Sequence, residues 1–152
     1  MAMNMSGEIE LAAPRETVWA MLNDADVLRQ CIPGCESLEW LSETELQAVA
    51  VNKVGPVKAR FKGKVQLTDI DPPSGYRISG EGDGGIAGFA KGGAAVRLED
   101  AGNGVTLLKY DVEAQIGGKL AQLGQRLVNS VAKKMADQFF TRFVDAVVQA
   151  RT

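Results

Sequence analysis

The chain has 152 residues, the usual size of one domain, and its 45% apolar and 24% charged residues exclude a disordered chain, so we predict a single folded domain over residues 1–152. Its 17 basic and 19 acidic residues give a net charge of −2, which offers no attraction for a phosphate backbone and predicts no nucleic-acid partner. The absence of histidine excludes Ser-His-Asp and Cys-His catalytic sites and removes the commonest zinc ligand.

The N-terminal segment predicts a strand followed by two short helices. Apolar residues alternate over residues 3–11, which is typical of a strand with one buried face. Pro14 suits the first position of a helix because its φ is already fixed near the helical value. Asp24 is the expected N-cap of a second helix, which continues through Cys31 and ends near Pro33-Gly34 because proline cannot continue it.

The middle of the chain, residues 36–116, predicts an antiparallel meander, which together with the first strand makes a sheet of about six or seven strands. Strand-like segments are separated by turn sequences such as Gly55-Pro56 and Gly102-Asn103-Gly104. The clearest strand covers residues 56–67, where apolar and polar residues alternate so that one face meets a core and the other meets water. Residues 108–116 alternate in the same way, so we expect the sheet to curve over one core.

The C-terminal segment predicts one long helix. After Gly117-Gly118 the apolar period changes to three or four residues and remains so to Ala150. At 1.5 Å per residue this helix would be about 45 Å long. Most of the stability of a helix comes from packing its apolar face, so the sheet is expected to wrap around it. The predicted fold class is therefore α+β, with a curved antiparallel sheet around a long C-terminal helix.

Small side chains are concentrated at inward positions of the middle strands, such as Gly63, Gly80 and Gly92. Unfilled volume in a protein interior costs roughly 24 cal/mol per Å³, so something must occupy the space that they leave. A hydrophobic ligand between helix and sheet is one possibility, and the pattern favours it. The alternative is a close approach of the helix through Gly124, Ala132 and Ala136.

The predicted ligand site combines inward residues of the sheet with facing residues of the last helix. Tyr110 is its best polar group for a ligand carbonyl or hydroxyl, although a tyrosine satisfied within the core is equally consistent with the pattern. We predict no catalytic residue, no metal and no cofactor. The predicted ligand-binding residues are Phe61, Ile78, Gly80, Gly82, Phe89, Ala94, Val96, Tyr110, Val112, Ala114, Leu123, Leu127, Val131 and Met135.

The glycine-rich segment 80–85 matches the GxGxxG string of dinucleotide sites. The following residues return to a strand pattern instead of opening a helix, so we predict a hairpin or a bulged edge. A mobile gate over a pocket mouth, formed by the glycines of residues 84–93 together with Phe89, is the functional alternative.

Three further features have ordinary interpretations. Cys31 and Cys35 lack other cysteine or histidine partners, so we predict buried or loop thiols. The four basic residues within residues 58–64 are typical of a solvated strand face, with attachment to acidic head groups or an acidic protein as the alternative. No apolar run reaches the roughly 18 residues of a membrane span, and residues 1–5 lack signal-peptide features, so we expect a cytoplasmic protein.

Four segments of the chain carry a family resemblance. They are Pro14-Arg15-Glu16-Thr17-Val18-Trp19, Ile32-Pro33-Gly34-Cys35, Val54-Gly55-Pro56 and, most specifically, Gly118-Lys119-Leu120-Ala121-Gln122-Leu123-Gly124-Gln125-Arg126-Leu127. These segments resemble the carbon monoxide dehydrogenase G-subunit family of the START-like (SRPBCC) superfamily, and the similarity covers residues 3–148. The predicted order of elements resembles the helix-grip fold of that superfamily.

The resemblance implies a non-catalytic accessory protein of a carbon monoxide dehydrogenase-type molybdenum hydroxylase. It implies a hydrophobic ligand, a lipid or a quinone, in the grip cavity. It also implies a role in attaching the enzyme to the membrane or in its coupling to quinone. The contact with the membrane would then be peripheral, at the inner face, and not integral.

Two other functions remain open from the sequence. The superfamily also contains polyketide cyclases and dehydratases, so one alternative is an enzyme that uses the same cavity, with Tyr110 or a loop carboxylate as its acid or base. The second is an assembly or interaction factor without a small ligand. The titratable candidates for an enzyme are Asp83, Asp111, Glu113, Tyr76 and Tyr110.

Overall fold

The structure, a computed structural model of the chain, describes residues 1–150 and confirms the α+β class. Residues 151 and 152, the end of the predicted domain, lie outside the described part. The helices are α1 (Arg15–Leu22), α2 (Ala25–Cys31), α3 (Lys119–Gln122) and α4 (Gln125–Ala150). The strands are β1 (Ala2–Leu11), β2 (Cys35–Trp40), β3 (Glu45–Val54), β4 (Val57–Asp71), β5 (Gly75–Asp83), β6 (Phe89–Gly102) and β7 (Val105–Gly117).

The strands of the described chain form one seven-stranded antiparallel sheet in the order β1-β7-β6-β5-β4-β3-β2. Neighbours from β2 to β7 are consecutive in the chain, so short turns suffice to connect them. The glycine-rich segment after β5 forms a 3₁₀ turn, Gly85–Ala87, and then returns to strand β6. This arrangement confirms the predicted meander and the expectation that no α-helix follows the GxGxxG string.

The register places the predicted inward residues of neighbouring strands on one face. Gly82 of β5 pairs with Gly63 on one side and with Ala90 on the other. Ala114 of β7 pairs with Gly92 of β6 and with Met3 of β1. Because side chains alternate along each strand, these pairs lie on the same concave face as the last helix.

The second short helix begins where the sequence predicts, whereas the first begins one residue later, at Arg15 instead of Pro14. Pro14 stands in extended conformation immediately before α1. The Asp24 carboxylate accepts hydrogen bonds from the backbone N–H groups of Asp26 and Val27, at 2.9 and 3.4 Å, and so caps α2. The buried hydroxyl of Thr106 donates to the carbonyl of Ala13 at 2.7 Å and fixes the turn between β1 and α1 against β7.

The prediction of one unbroken C-terminal helix is wrong. Two helices, α3 and α4, are separated by Leu123 and Gly124, and Gly124 has a φ of +93°. That backbone conformation interrupts a right-handed helix, and glycine adopts it without the clash that a side chain would cause. The 26 residues of α4 therefore span about 39 Å instead of the predicted 45 Å.

Two clusters of buried side chains lie between the sheet and α4. The main core contains Phe143 and Val147 of α4, both fully buried, together with large residues of the sheet such as Leu98 and Leu108. The second cluster, called here the cavity-end cluster, consists of Met3, Ile116, Leu120 and Val128. The C-terminal half of α4 thus packs on the main core, and its N-terminal half packs on the cavity-end cluster.

Candidate functional site

A cavity of about 320 Å³ lies between the sheet and the N-terminal half of α4. This volume falls at the lower end of the roughly 300–1,000 Å³ that ligand pockets usually have. The sheet contributes Met3, Asn52, Val54, Phe61, Gly82, Ala90, Ala114 and Ile116 to the lining. The helices contribute Leu120, Val128, Val131, Ala132 and Met135.

The cavity exists because small residues face each other at one end of the interface. On the sheet, Gly82, Ala90 and Ala114 line it, and on the helix Ala132 does. A Cβ added at Gly82 would meet no atom within 4 Å, so this glycine borders empty space.

The opposite end of the interface is filled by rings. Phe139 stacks on Phe143 with ring centroids 5.8 Å apart, and Phe140 stacks on Tyr110 at 5.0 Å. These paired rings fill the space between helix and sheet at this end of the interface. At the cavity end the small residues leave the corresponding space empty. The C-terminal half of α4 therefore packs tightly against the sheet, whereas a cavity remains between its N-terminal half and the sheet.

The cavity wall is almost entirely hydrocarbon. Among the described lining residues, Asn52 is the one polar side chain, and none is titratable. Val54, Phe61, Val131 and Met135 of the lining are half-buried, so the cavity is open to solvent. The site therefore suits an apolar molecule and offers it no general acid or base from residues 1–150.

The structure brings part of the predicted ligand site together and separates the rest. Phe61, Gly82, Ala114, Val131 and Met135 line the cavity. The other predicted residues lie outside the lining. Those that pack against the main core are Ile78, Val96 and Tyr110, and those that pack against the cavity-end cluster are Val112 and Leu123. Leu127 packs on Gly55, and the remaining three, Gly80, Phe89 and Ala94, lie elsewhere on β5 and β6. Whether any of them contacts a ligand stays a prediction.

Phe89 and Tyr110 are the two predicted residues whose placement matters most. Phe89 lies in the opposite phase of β6 to Ala90, with its ring over Gly117, and is 45% exposed, so it faces away from the cavity. Tyr110 lies across from Gly7, and its ring stacks on Phe140 at the filled end of the interface. Neither side chain is therefore available to a molecule inside the cavity as the structure stands.

Sequence reasoning missed several lining residues, of which Asn52 is the most informative. The inner face of β3 carries Leu46, Ala48, Ala50, Asn52 and Val54 at alternate positions. One amide in an otherwise apolar row is a signal that the sequence contains. The predicted meander includes no register for this strand, so the sequence prediction names no inward residue on it.

A larger groove of about 900 Å³ lies on the outer face of the sheet, but its chemistry differs. Charged residues of both signs line it, and an Arg77–Glu113 ion pair of 2.6 Å lies on its wall. The basic residues of β4 also have acidic neighbours, since Lys62 pairs in register with Asp83, and Arg60 forms a 2.6 Å ion pair with Glu36. This face is mixed in charge and suits water better than an apolar ligand.

The titratable groups with shifted pKa values lie outside the cavity lining. Burial raises the pKa of Tyr76 to about 12, and its ring meets Trp19 edge-on with centroids 5.2 Å apart. Burial also raises the pKa of the Cys31 thiol, with partial opposition from the charge of Arg142. The pKa of Cys35 is raised for the same reason, and both thiols are free. A raised pKa makes a thiol a weak nucleophile at neutral pH.

Residues 1–150 hold neither a metal-binding cluster nor a helix suited to crossing a membrane. No cluster of three or more Cys, Asp or Glu side chains in this part of the chain is arranged to hold a metal ion. None of its helices combines the length and the apolar composition that crossing a bilayer requires.

The antiparallel sheet with a long helix across its concave face defines a START-like fold. A START superfamily protein from Mycobacterium smegmatis has this fold, with a TM-score of 0.74, 17% identity and coverage of 97% of this chain and 98% of that chain. The Zhui aromatase/cyclase from Streptomyces sp. R1128 shares it with a TM-score of 0.63, 13% identity and coverage of 99% and 93%. At these identities the likeness concerns the fold alone.

The family follows from the sequence itself. The family model of the carbon monoxide dehydrogenase G subunit (CoxG) matches residues 7–148, and the chain belongs to this family. A conserved protein from Geobacillus kaustophilus is 34% identical over 97% of both chains, with a TM-score of 0.91. No curated protein sequence matches the chain. The family match confirms the resemblance seen in the sequence motifs.

Proposed function

We propose that the chain is a non-catalytic binding protein that holds an apolar small molecule, a quinone or a lipid, in the cavity beneath α4. We further propose that it serves a carbon monoxide dehydrogenase-type molybdenum hydroxylase in the cytoplasm, with peripheral contact to the membrane. The observation that carries the binding proposal is the meeting of small residues from the sheet and from α4 at one open, apolar cavity. The family description supports the link to the enzyme.

The chemistry of the wall favours binding over catalysis. A cyclase or dehydratase acting in this cavity needs a proton donor or acceptor in contact with its substrate. The lining within residues 1–150 contains no carboxylate, phenol, thiol or amine. A ligand-free assembly factor has no need of an apolar hollow, since unfilled volume of this kind lowers stability.

The binding proposal is tested first on the purified full-length protein. Organic extraction followed by mass spectrometry identifies any apolar molecule that is retained. Titration with N-phenyl-1-naphthylamine, a neutral probe whose fluorescence rises in apolar surroundings, then measures binding directly. We expect micromolar affinity for the probe. If no apolar molecule is retained and the probe does not bind with micromolar affinity, the proposal is overturned.

A pair of leucine substitutions on β5 locates the site. Gly82→Leu places a side chain into the cavity, whereas Ser79→Leu places the same side chain on the exposed outer face of the same strand. Gly82→Leu should abolish probe binding, and Ser79→Leu should leave it unchanged. Ala132→Leu fills the cavity from the helix and serves as a second test if Gly82→Leu does not fold. Equal binding by all variants would mean that the probe lies elsewhere.

The accessory role is tested separately. The purified chain is mixed with the carbon monoxide dehydrogenase-type enzyme of its own organism and analysed by size-exclusion chromatography. We expect co-elution. Separate elution under conditions in which both proteins are intact would refute this part of the proposal and leave the ligand site untouched.

A further inference from the structure

Asn52 is the feature of the cavity that the proposed function does not yet use. It occupies an inner position of β3, directly across from Ala59 of β4. Within the described residues it is the one polar residue of the lining, and it is half-buried. A polar group set into an apolar pocket is the usual means by which a protein orients a ligand.

The amide of Asn52 has hydrogen-bonding capacity to spare. Its Oδ1 lies beside the turn before β2, 3.1 Å from the position that a Cβ on Gly34 would take. The side chain forms no hydrogen bond with any residue of 1–150, so both N–H groups on Nδ2 lack a protein partner. A ligand that excluded water from this wall without accepting a hydrogen bond would leave these donors unsatisfied, which is unfavourable.

We propose that the ligand carries a neutral carbonyl oxygen on its apolar body and that Asn52 Nδ2 donates a hydrogen bond to that oxygen. This inference rests on the proposed function, because it assigns a chemical class to the molecule in the same cavity. A ketone, a quinone or an ester fulfils the requirement. Asn52 is then the residue that fixes the orientation of the ligand and selects for its oxygen.

The same wall argues against a charged ligand. A free fatty acid would bring a carboxylate into the cavity, and no Lys or Arg of the described chain lines it. An unpaired carboxylate in apolar surroundings is strongly unfavourable, and one amide cannot replace a cation. The cavity therefore discriminates between a neutral carbonyl compound and an ionised acid.

The volume sets the size of the part that enters. An engineered apolar cavity of about 150 Å³ accommodates benzene, so about 320 Å³ has room for a compact two-ring group. A longer chain attached to that group would extend out of the cavity into solvent.

Two neutral probes of the same shape test the inference. 2,3-Dimethyl-1,4-naphthoquinone has two carbonyl groups, and 2,3-dimethylnaphthalene has none. The methyl groups occupy the ring positions at which the free thiols Cys31 and Cys35 would otherwise add. Each probe is titrated against the full-length protein by calorimetry, and the ratio of the two dissociation constants is compared between wild type and variants. This comparison removes the difference in hydrophobicity between the probes.

Asn52→Leu should shift that ratio by about 2- to 10-fold against the quinone, the value expected for one neutral hydrogen bond. Asn4→Leu is the matched control, because Asn4 lies exposed on β1 and outside the lining, and it should leave the ratio unchanged. Asn52→Val replaces Asn52→Leu if the leucine variant does not fold. 2-Naphthoate at pH 8 should bind at least 10-fold more weakly than 2,3-dimethylnaphthalene.

The outcomes separate the two proposals. If wild type binds neither neutral probe, the proposed function fails. If both probes bind and Asn52→Leu leaves their ratio unchanged, the proposed function stands and the role of Asn52 is refuted. Tight binding of 2-naphthoate would refute the neutral-carbonyl assignment in the same way.

Discussion

Gly82 and Gly92 lie on the same inner face of the sheet, yet each is glycine for a different reason. A Cβ on Gly82 would project into the cavity and meet no atom within 4 Å. A Cβ on Gly92 would overlap the backbone oxygen of Glu113 on the neighbouring strand. Gly82 therefore maintains the volume of the cavity, whereas Gly92 permits a close approach of β6 and β7.

Alanine substitutions distinguish these two roles. Gly82→Ala should raise the free energy of unfolding by about 0.5–1 kcal/mol, because alanine loses less backbone entropy than glycine and meets no obstacle there. Gly92→Ala should lower it by about 1–3 kcal/mol, because the strands must shift to accept the methyl group. Urea denaturation of both variants measures the difference. Equal effects would contradict the distinction.

Tyr76 predicts a loss of stability at alkaline pH. Burial raises its pKa from 10.0 to about 12, so the folded state holds the phenolic proton more tightly than the unfolded chain does. Its contribution is fully present below pH 10 and is lost as the pH rises from 10.0 towards 12. The loss over this range is about 2–3 kcal/mol, at roughly 1.4 kcal/mol for each pKa unit.

Tyr76→Phe isolates this effect, since it keeps the ring against Trp19 and removes the proton. Urea denaturation of both proteins at pH 9, 10 and 11 should show a shallower decline for the variant. Parallel declines would mean that other groups cause the alkaline loss.

Helix α4 divides into two halves with different energetic roles. Phe143 in its C-terminal half is fully buried in the main core. Met135 in its N-terminal half is half-buried and borders the cavity. Phe143→Ala should therefore cost about 3–5 kcal/mol, the usual value for emptying a filled aromatic position.

Met135→Ala should cost only about 1–2 kcal/mol, because part of this side chain is already in water and part faces empty volume. Denaturation of the two variants under one set of conditions gives the comparison. A cost for Met135→Ala equal to that for Phe143→Ala would show that the cavity end is packed as tightly as the main core.

At the scale of the whole molecule, the alternation of apolar and polar residues predicted the sheet well. When one face of a strand is buried, only one register places all of its apolar side chains on that face. The presence of small inward residues indicated empty space, but its position depended on which helix residues faced them. The break at Gly124 changes which helix residues face the sheet, because α4 begins at Gln125 and presents Val128 and Ala132 to the sheet. A φ of +93° cannot be read from one glycine within an otherwise helical pattern.

The division of α4 also predicts how a ligand changes the dynamics of the molecule. Without a ligand, the N-terminal half has few large partners and should open locally at lower free energy than the C-terminal half. A ligand that binds the folded state stabilises it by about 2.7 kcal/mol at a concentration 100 times its dissociation constant. Because the contacts form at the cavity, the added protection should be greatest there.

Hydrogen exchange followed by mass spectrometry, with and without 2,3-dimethylnaphthalene, measures this distribution. Exchange should slow most in residues 125–135, while residues 139–147, which already pack against the main core, should change little. Gly82→Leu should exchange equally with and without the probe, because its side chain occupies the same volume. Protection confined to the C-terminal half of α4 would place the ligand at the aromatic end and contradict the assignment of the cavity.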